Sequence, residues 1–275
     1  MVFGKRHPIS WVAATALCAL SALWGTNAYA DTAQTSALVI DGSPIDPACL
    51  LNFAFDDESS RQPVELKHCK PEDLVIKGDG AEPGMIGFEY EFRHASKNMY
   101  QPYFEYRYLG RYHGHALLFV ENGSGTAGQF TQLISVDRVD KFLRPAGKIA
   151  SGDRCDAGIS NAALDGDKLS YDQTVSPYFL LALTRSRPKL DSTKDLDWGP
   201  SNCVATVHYR DKQWISLTLT QKDLQDQSGA TDQFRYQACF NKLYRGYIAA
   251  GKTELDHNGV DQFAMDFTSS CLTGP

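Results

Sequence analysis

Val204-Ala-Thr-Val-His-Tyr209, followed after Arg210-Asp-Lys212 by Gln213-Trp-Ile-Ser-Leu-Thr-Leu-Thr220, decides the fold class. In the second run Ile215, Leu217 and Leu219 alternate with Ser216, Thr218 and Thr220. Successive strand side chains point to opposite faces, so the pattern gives one apolar and one polar side. Two such runs around a short polar connector read as an antiparallel pair.

The pattern recurs outward from this pair. Ile86-Gly-Phe88-Glu-Tyr90-Glu-Phe92-Arg93 sets Phe88, Tyr90 and Phe92 against Glu89, Glu91 and Arg93. Ala116 to Val120 reads as a buried strand, Asn122-Gly123 as the turn after it, and Phe130 to Val136 as its partner. Leu164-Asp-Gly-Asp-Lys-Leu169 reads as a tight hairpin. Phe234, Tyr236, Ala238 and Phe240 also alternate, as do Phe263, Met265 and Phe267. The expectation is a mainly β protein, an antiparallel β-sandwich or barrel-like fold with one or two short helices. Ser176-Pro177 opens one helix through Leu183, with Pro at the first helical position. Lys222 to Gln227 is the second candidate, and Lys189 to Pro200 reads as a polar surface loop.

Met1 to Ala30 has the form of a secretory signal peptide: Lys5-Arg6-His7, an apolar run from Trp11 to Trp24, then Ala28-Tyr29-Ala30 for cleavage after Ala30. The expected product, 31–275, is a β-rich exported domain in the periplasm or outside the cell. Gly and Ser concentrate at 123–128, where a division into two packed subdomains and a simple loop explain the sequence equally. Beyond the leader the apolar runs, such as Ala116–Val120 and Tyr178–Leu183, are too short to span a bilayer.

Outside the leader stand Cys49, Cys69, Cys155, Cys203, Cys239 and Cys271. An even number in an exported chain reads as disulfides, and no C-x-x-C spacing suggests a redox pair or zinc knuckle. Six cysteines allow fifteen pairings. The simplest is sequential: Cys49–Cys69, Cys155–Cys203 and Cys239–Cys271. The chain has 27 basic and 33 acidic side chains, and loss of Lys5 and Arg6 takes its net charge from −6 to −8. That balance disfavours nucleic acid, which needs a concentrated basic face, and adsorption to anionic lipid, while the short apolar runs argue against stable membrane insertion.

The chemistry-bearing residues crowd into 88–119. Tyr100, Tyr103, Tyr106, Arg107, Tyr108, Arg111 and Tyr112 combine contact area with hydrogen-bonding tips, which suits a protein or glycan ligand of the cell envelope. Tyr is also a favoured strand residue, so a structural role accounts for the same composition. His113-Gly-His115 on a strand would aim two imidazoles to one side, a start toward a divalent metal site, although the local sequence supplies no third ligand. No cofactor is otherwise implied. Glu89 and Glu91 offer paired carboxylates without a means to fix their separation. Gly152-Asp-Arg-Cys-Asp-Ala-Gly158 reads as a stapled structural loop. There is no G-x-S-x-G, P-loop, G-x-G-x-x-G or H-E-x-x-H. The expectation is a non-catalytic binding or inhibitor protein. The alternative is an extracytoplasmic carbohydrate-active hydrolase or lyase using 88–119.

The cysteine reading predicts that denatured, unreduced mature protein titrates with no free thiol, and a full equivalent of thiol would contradict it.

Overall fold

The computed structural model describes residues 38–54, 62–70, 85–89, 103–123, 128–185, 187–191, 194–199, 202–220 and 234–273. The leader expected at 1–30, Tyr90 to Arg93, Tyr100 and the helix expected at Lys222–Gln227 lie outside the described residues.

A small hairpin, β1 (Val39–Ile40) and β2 (Ser43–Pro44), precedes helix α1 (Ala48–Ala54) and strand β3 (Val64–Glu65). A long meander then runs through β4 (Ile86–Glu89), β5 (Tyr103–Tyr112), β6 (His115–Gly123), β7 (Gln129–Val139), β8 (Phe142–Asp153), β9 (Asp156–Asp165) and β10 (Lys168–Val175). After α2 (Pro177–Ala182) come β11 (Ala205–Arg210) and β12 (Gln213–Leu219). Helix α3 (Gln237–Ala249), strand β13 (Glu254–Leu255) and helix α4 (His257–Phe267) close the described chain. The protein is mainly β and antiparallel. Each strand from β4 to β13 pairs with its sequence neighbour, and β3 adds to β8.

One corner makes two layers of this meander. β9 holds β8 only through Asp153 and Asp156, while β3 takes β8 at Phe142 and Leu143. From the link between β8 and β9 into the start of β9 the backbone turns through left-handed residues, Arg154 (φ 43°) and Ala157 (φ 61°). A Cβ on Gly152 would lie 2.1 Å from the Ala157 carbonyl carbon, and one on Gly158 would lie 2.4 Å from the Arg154 oxygen. Only glycine fits at either place. Past the corner β9 crosses the inner side of β5–β7. There the Ile159 N–H donates to Thr131 Oγ1 at 2.6 Å and Arg107 Nη2 to the Ala162 carbonyl at 3.2 Å. The result is sandwich-like.

The core divides accordingly. Leu117, Phe119, Leu133, Ile159, Leu169 and Tyr171 pack between the layers. On the other side of β6, Ala116, Leu118 and Val120 meet Ile45, Leu50 and Phe53 of the N-terminal segment. β6 is therefore buried on both sides, as its unbroken apolar run implies. The third cluster joins Val207, Leu217 and Leu219 to Phe240, Tyr244, Phe263 and Phe267 of the C-terminal helices.

All three disulfides are the sequential ones: Cys49–Cys69, Cys155–Cys203 and Cys239–Cys271. The first ties α1 to the turn after β3, the second pins the corner to the segment entering β11, and the third joins α3 to the end of the helical layer. Each restricts the unfolded chain by about 2–4 kcal/mol.

Four expectations need correction. Asn122 and Gly123 are not a turn: they are the last residues of β6, paired with Phe130 and Gln129 of β7. The alternating residues at 234–240 and 263–267 do not form strands: Gln237 to Ala249 and His257 to Phe267 are helical. The longer windows show why, because Phe240, Tyr244 and Tyr247 recur at helical spacing, as do Val260, Phe263, Ala264 and Phe267. The Asp256 side chain caps α4 by accepting the Gly259 N–H at 2.8 Å. Ile215 leaves the row of Leu217 and Leu219. Tyr209 pairs with Trp214 and His208 with Ser216, so Ile215 is the extra residue of a bulge and is 45% exposed. Finally, 189–200 is not a pure surface loop: Leu196 is wholly buried in the third cluster and Asp195 is buried beside it.

Tyr171 lies against Tyr209, rings parallel with centroids 4.8 Å apart. Burial first, then the neighbouring Tyr209 and Tyr112 hydroxyls, pushes its phenol up to about 12. The folded state thus holds this proton above the usual value of about 10. The stabilisation is complete below pH about 10 and fades as pH rises toward 12. Urea midpoints should fall across that window while part of the tyrosinate absorbance develops late. Full ionisation of folded protein at the ordinary tyrosine value would contradict the burial.

Candidate functional site

The tyrosine- and arginine-rich strand is divided between two sides of β5. Tyr106 is buried on the N-terminal side and donates to the Ile45 carbonyl at 3.0 Å, and Tyr108 packs against the same cluster. On the opposite side Tyr103 donates to Glu121 Oε1 at 2.5 Å. Burial, then that carboxylate, raises the Tyr103 phenol well above its usual range. Arg107 reaches the Ala162 carbonyl with its guanidinium carbon 5.7 Å from the Phe119 ring centroid. Tyr112 is buried between the layers. Arg111 is exposed, and its Nη2 donates to the Gly114 carbonyl at 2.5 Å. These six side chains do not share one surface, and Tyr100 lies outside the described residues.

The two histidines do not share a strand face either. His113 (φ 51°) and Gly114 (φ 87°) form the two-residue turn between β5 and β6, and Tyr112 pairs with His115 across it. Positive φ at both positions matches the turn that suits a twisted hairpin. The His113 ring lies 4.1 Å from that of Tyr112, whereas His115 Nδ1 is 2.9 Å from Asp137 Oδ1. Among the described residues no three His, Cys, Asp or Glu side chains group as a metal would require.

A polar row that sequence reasoning missed crosses the outer face of β9–β13. Asn161 Nδ2 donates to Asp172 Oδ2 at 2.8 Å, and Asp172 Oδ1 is 2.7 Å from His208 Nδ1. His208 Nε2 is 2.8 Å from Thr218 Oγ1, which donates to Glu254 Oε2 at 2.9 Å. The carboxylate–imidazole–hydroxyl order is that of an activated nucleophile. Here the hydroxyl proton is turned toward Glu254, and the Thr218 backbone is paired within the sheet opposite Thr206 and Glu254. The arrangement fastens strands. The separate residues gave no signal, because only the register of β10, β11 and β12 lines them up.

A further constellation is a shallow hollow of about 580 Å³ where α2, residues 187–191, Asp195 and the approach to α3 meet. Arg187 Nη2 donates to the Tyr178 hydroxyl at 3.0 Å, and its guanidinium carbon stands 5.6 Å from the Tyr178 ring centroid. Lys189 is exposed on the rim, with Pro188 buried beneath. Across the hollow Arg235 Nε donates to the buried Asp195 at 2.7 Å, and the other Asp195 oxygen accepts the Asp191 N–H at 2.7 Å.

The wall is built from backbone anchors. Arg235 and Tyr236 N–H donate to the Lys194 and Asp195 carbonyls at 2.9 and 3.0 Å, and the Tyr178 N–H to the Asp197 carbonyl at 3.1 Å. The backbone and guanidinium of Arg185 grip Asp261 of α4 at 2.9 and 2.6 Å, holding that carboxyl below its usual range. Asp195 neutralises Arg235 and Asp191 lies 3.6 Å from Lys194. Arg187 and Lys189 have no carboxylate partner among the described residues. The hollow therefore presents two exposed cations beside a phenol.

His208→Ala removes both inner links of the polar row and should lower stability by about 1–3 kcal/mol, measured by urea unfolding. A change below about 0.5 kcal/mol, the usual surface scatter, would show that the row fastens nothing.

Comparison with protein-family models, with curated proteins and with solved structures finds no match to this chain.

Proposed function

We propose that this is an exported, non-catalytic binding protein whose ligand seat is the hollow at Tyr178, Arg187, Lys189 and Arg235. The observation that carries the reading is the pair Arg187 and Lys189, exposed and without carboxylate partners among the described residues, on an otherwise acidic chain. A guanidinium can take a carboxylate through two parallel hydrogen bonds, and an ammonium beside it adds a second charge. The ligand class is an acidic glycan bearing uronate carboxylates, with Tyr178 supplying contact area and a hydroxyl at the same edge.

Three disulfides suit an oxidising compartment, which supports a place in the periplasm or outside the cell. Among the described residues no helix is long and apolar enough to cross a membrane. The non-catalytic part of the reading is supported by the uses to which Tyr103, Tyr106, Arg107 and Arg111 are put. The first three bond other elements of the fold, and Arg111 bonds the turn beside it.

Calorimetric titration of the mature protein with trigalacturonate should show saturable binding, weakened at least tenfold in Arg187→Ala/Lys189→Ala. Galactotriose, the neutral counterpart, should bind far more weakly. Equal affinity for both sugars, an unaffected double variant, or cleavage of the acidic oligosaccharide would each overturn the reading.

A further inference from the structure

A separate set of side chains forms a groove of about 440 Å³ along α3, a volume within the range of small-ligand sites. Its floor is apolar: Leu243, Tyr247, Ala250 and the Cys239 end of the disulfide to Cys271. Lys242 and Lys252 stand at its rim, both exposed. Neither has a carboxylate partner among the described residues.

The local sequence explains how the lysines come to flank one floor. Helix α3 stops at Gly251, whose φ of +71° is the left-handed conformation that ends helices. The chain turns back, and the Lys252 N–H donates to the Tyr247 carbonyl at 2.9 Å. That reversal sets Lys252 Nζ 5.4 Å from the Tyr247 ring centroid. The Tyr247 hydroxyl donates to Asp266 of α4 at 2.6 Å, which fixes the ring as part of the floor.

Gly246 is the informative residue. It lies inside α3, where glycine is the poorest helix former short of proline. Its φ is not in the left-handed region, and a Cβ built on it meets nothing within 4 Å. Neither backbone conformation nor close packing within the protein demands a glycine there. What the missing side chain does is leave the groove open where Gly246 lines it.

We infer that the groove between Lys242, Gly246 and Lys252 binds a single-chain anionic amphiphile, with the acyl chain over Gly246 and Tyr247 and the carboxylate taken by a lysine. Apolar lining with a few charged groups at the rim is the composition of sites that take such ligands. Charge complementarity selects the anion: an ammonium at the rim favours a carboxylate and disfavours a cationic head.

The probe is dodecanoate below its micellar concentration, titrated calorimetrically into the mature protein. One equivalent should bind, with affinity reduced at least tenfold in Gly246→Leu and in Lys242→Ala/Lys252→Ala. Gly246→Ala should melt no lower than the parent, since alanine is the better helix former, yet bind more weakly. If Gly246→Leu loses its cooperative transition, Gly246→Ala carries the test. Four results would overturn the proposal: no binding at millimolar dodecanoate, affinity untouched by filling position 246, equal binding of monomeric dodecyl maltoside, or a protein dimer dispersed by Gly246→Leu. Trigalacturonate binding by Gly246→Leu should remain as in the parent, so the groove and the hollow at Arg187 stand or fall separately.

Discussion

The close approach of Gly152 to Ala157 and of Gly158 to Arg154 is the constraint on which the rest depends. A meander of paired strands has no intrinsic reason to fold over itself. At this corner two glycines let backbone meet backbone, and Cys155–Cys203 fixes the bend from outside. Nearby bonds support it: Thr174 Oγ1 donates to the Arg154 carbonyl at 2.5 Å, and Arg154 Nε lies 3.3 Å from Asp153 Oδ1. Because β9 then crosses β5–β7, the apolar side of β10–β12 is divided. One end faces the first layer through Leu169 and Tyr171, and the other is left for the helices that bury Val207, Leu217 and Leu219.

The candidate sites follow from that division. Covering the second end takes a helical layer, and the segment between α2 and β11 must cross the edge of this layer to reach it. Leu196 anchors the crossing by burial, and Asp195 anchors it through Arg235. Arg187 and Lys189 are thereby held on a defined rim. α3 likewise packs Phe240 and Tyr244 inward, while Lys242 and Gly246 remain outside. The groove is the outer half of an amphipathic helix.

Much of the architecture was legible in the sequence because strand alternation, the Asp-Gly turn and cysteine order are local signals. Ala116–Val120, the Leu164–Leu169 hairpin and the sequential disulfides all stand where those signals put them. The helices were misread because three alternating aromatics satisfy a period of two as easily as a helix. The spacing of Phe240, Tyr244 and Tyr247, with the Asp256 cap, carried the correct information. Ile215 was misplaced because a bulge depends on the partner strand. The density of tyrosine between Tyr103 and Tyr112 drew attention to residues that composition cannot separate into inward- and outward-facing. Tyr178, Arg187 and Arg235 gave no joint signal because the fold alone brings them together.

The central claim is that recognition belongs to the helical layer and its crossing segment, not to the tyrosine-rich hairpin. Backbone amide chemical-shift mapping of ¹⁵N-labelled protein spanning residues 31–275 during addition of trigalacturonate tests it most directly. The account predicts shifts concentrated at 178, 187–191 and 235, with 103–115 unchanged. Shifts centred on 103–115, or spread without focus over the acidic surface, would contradict it.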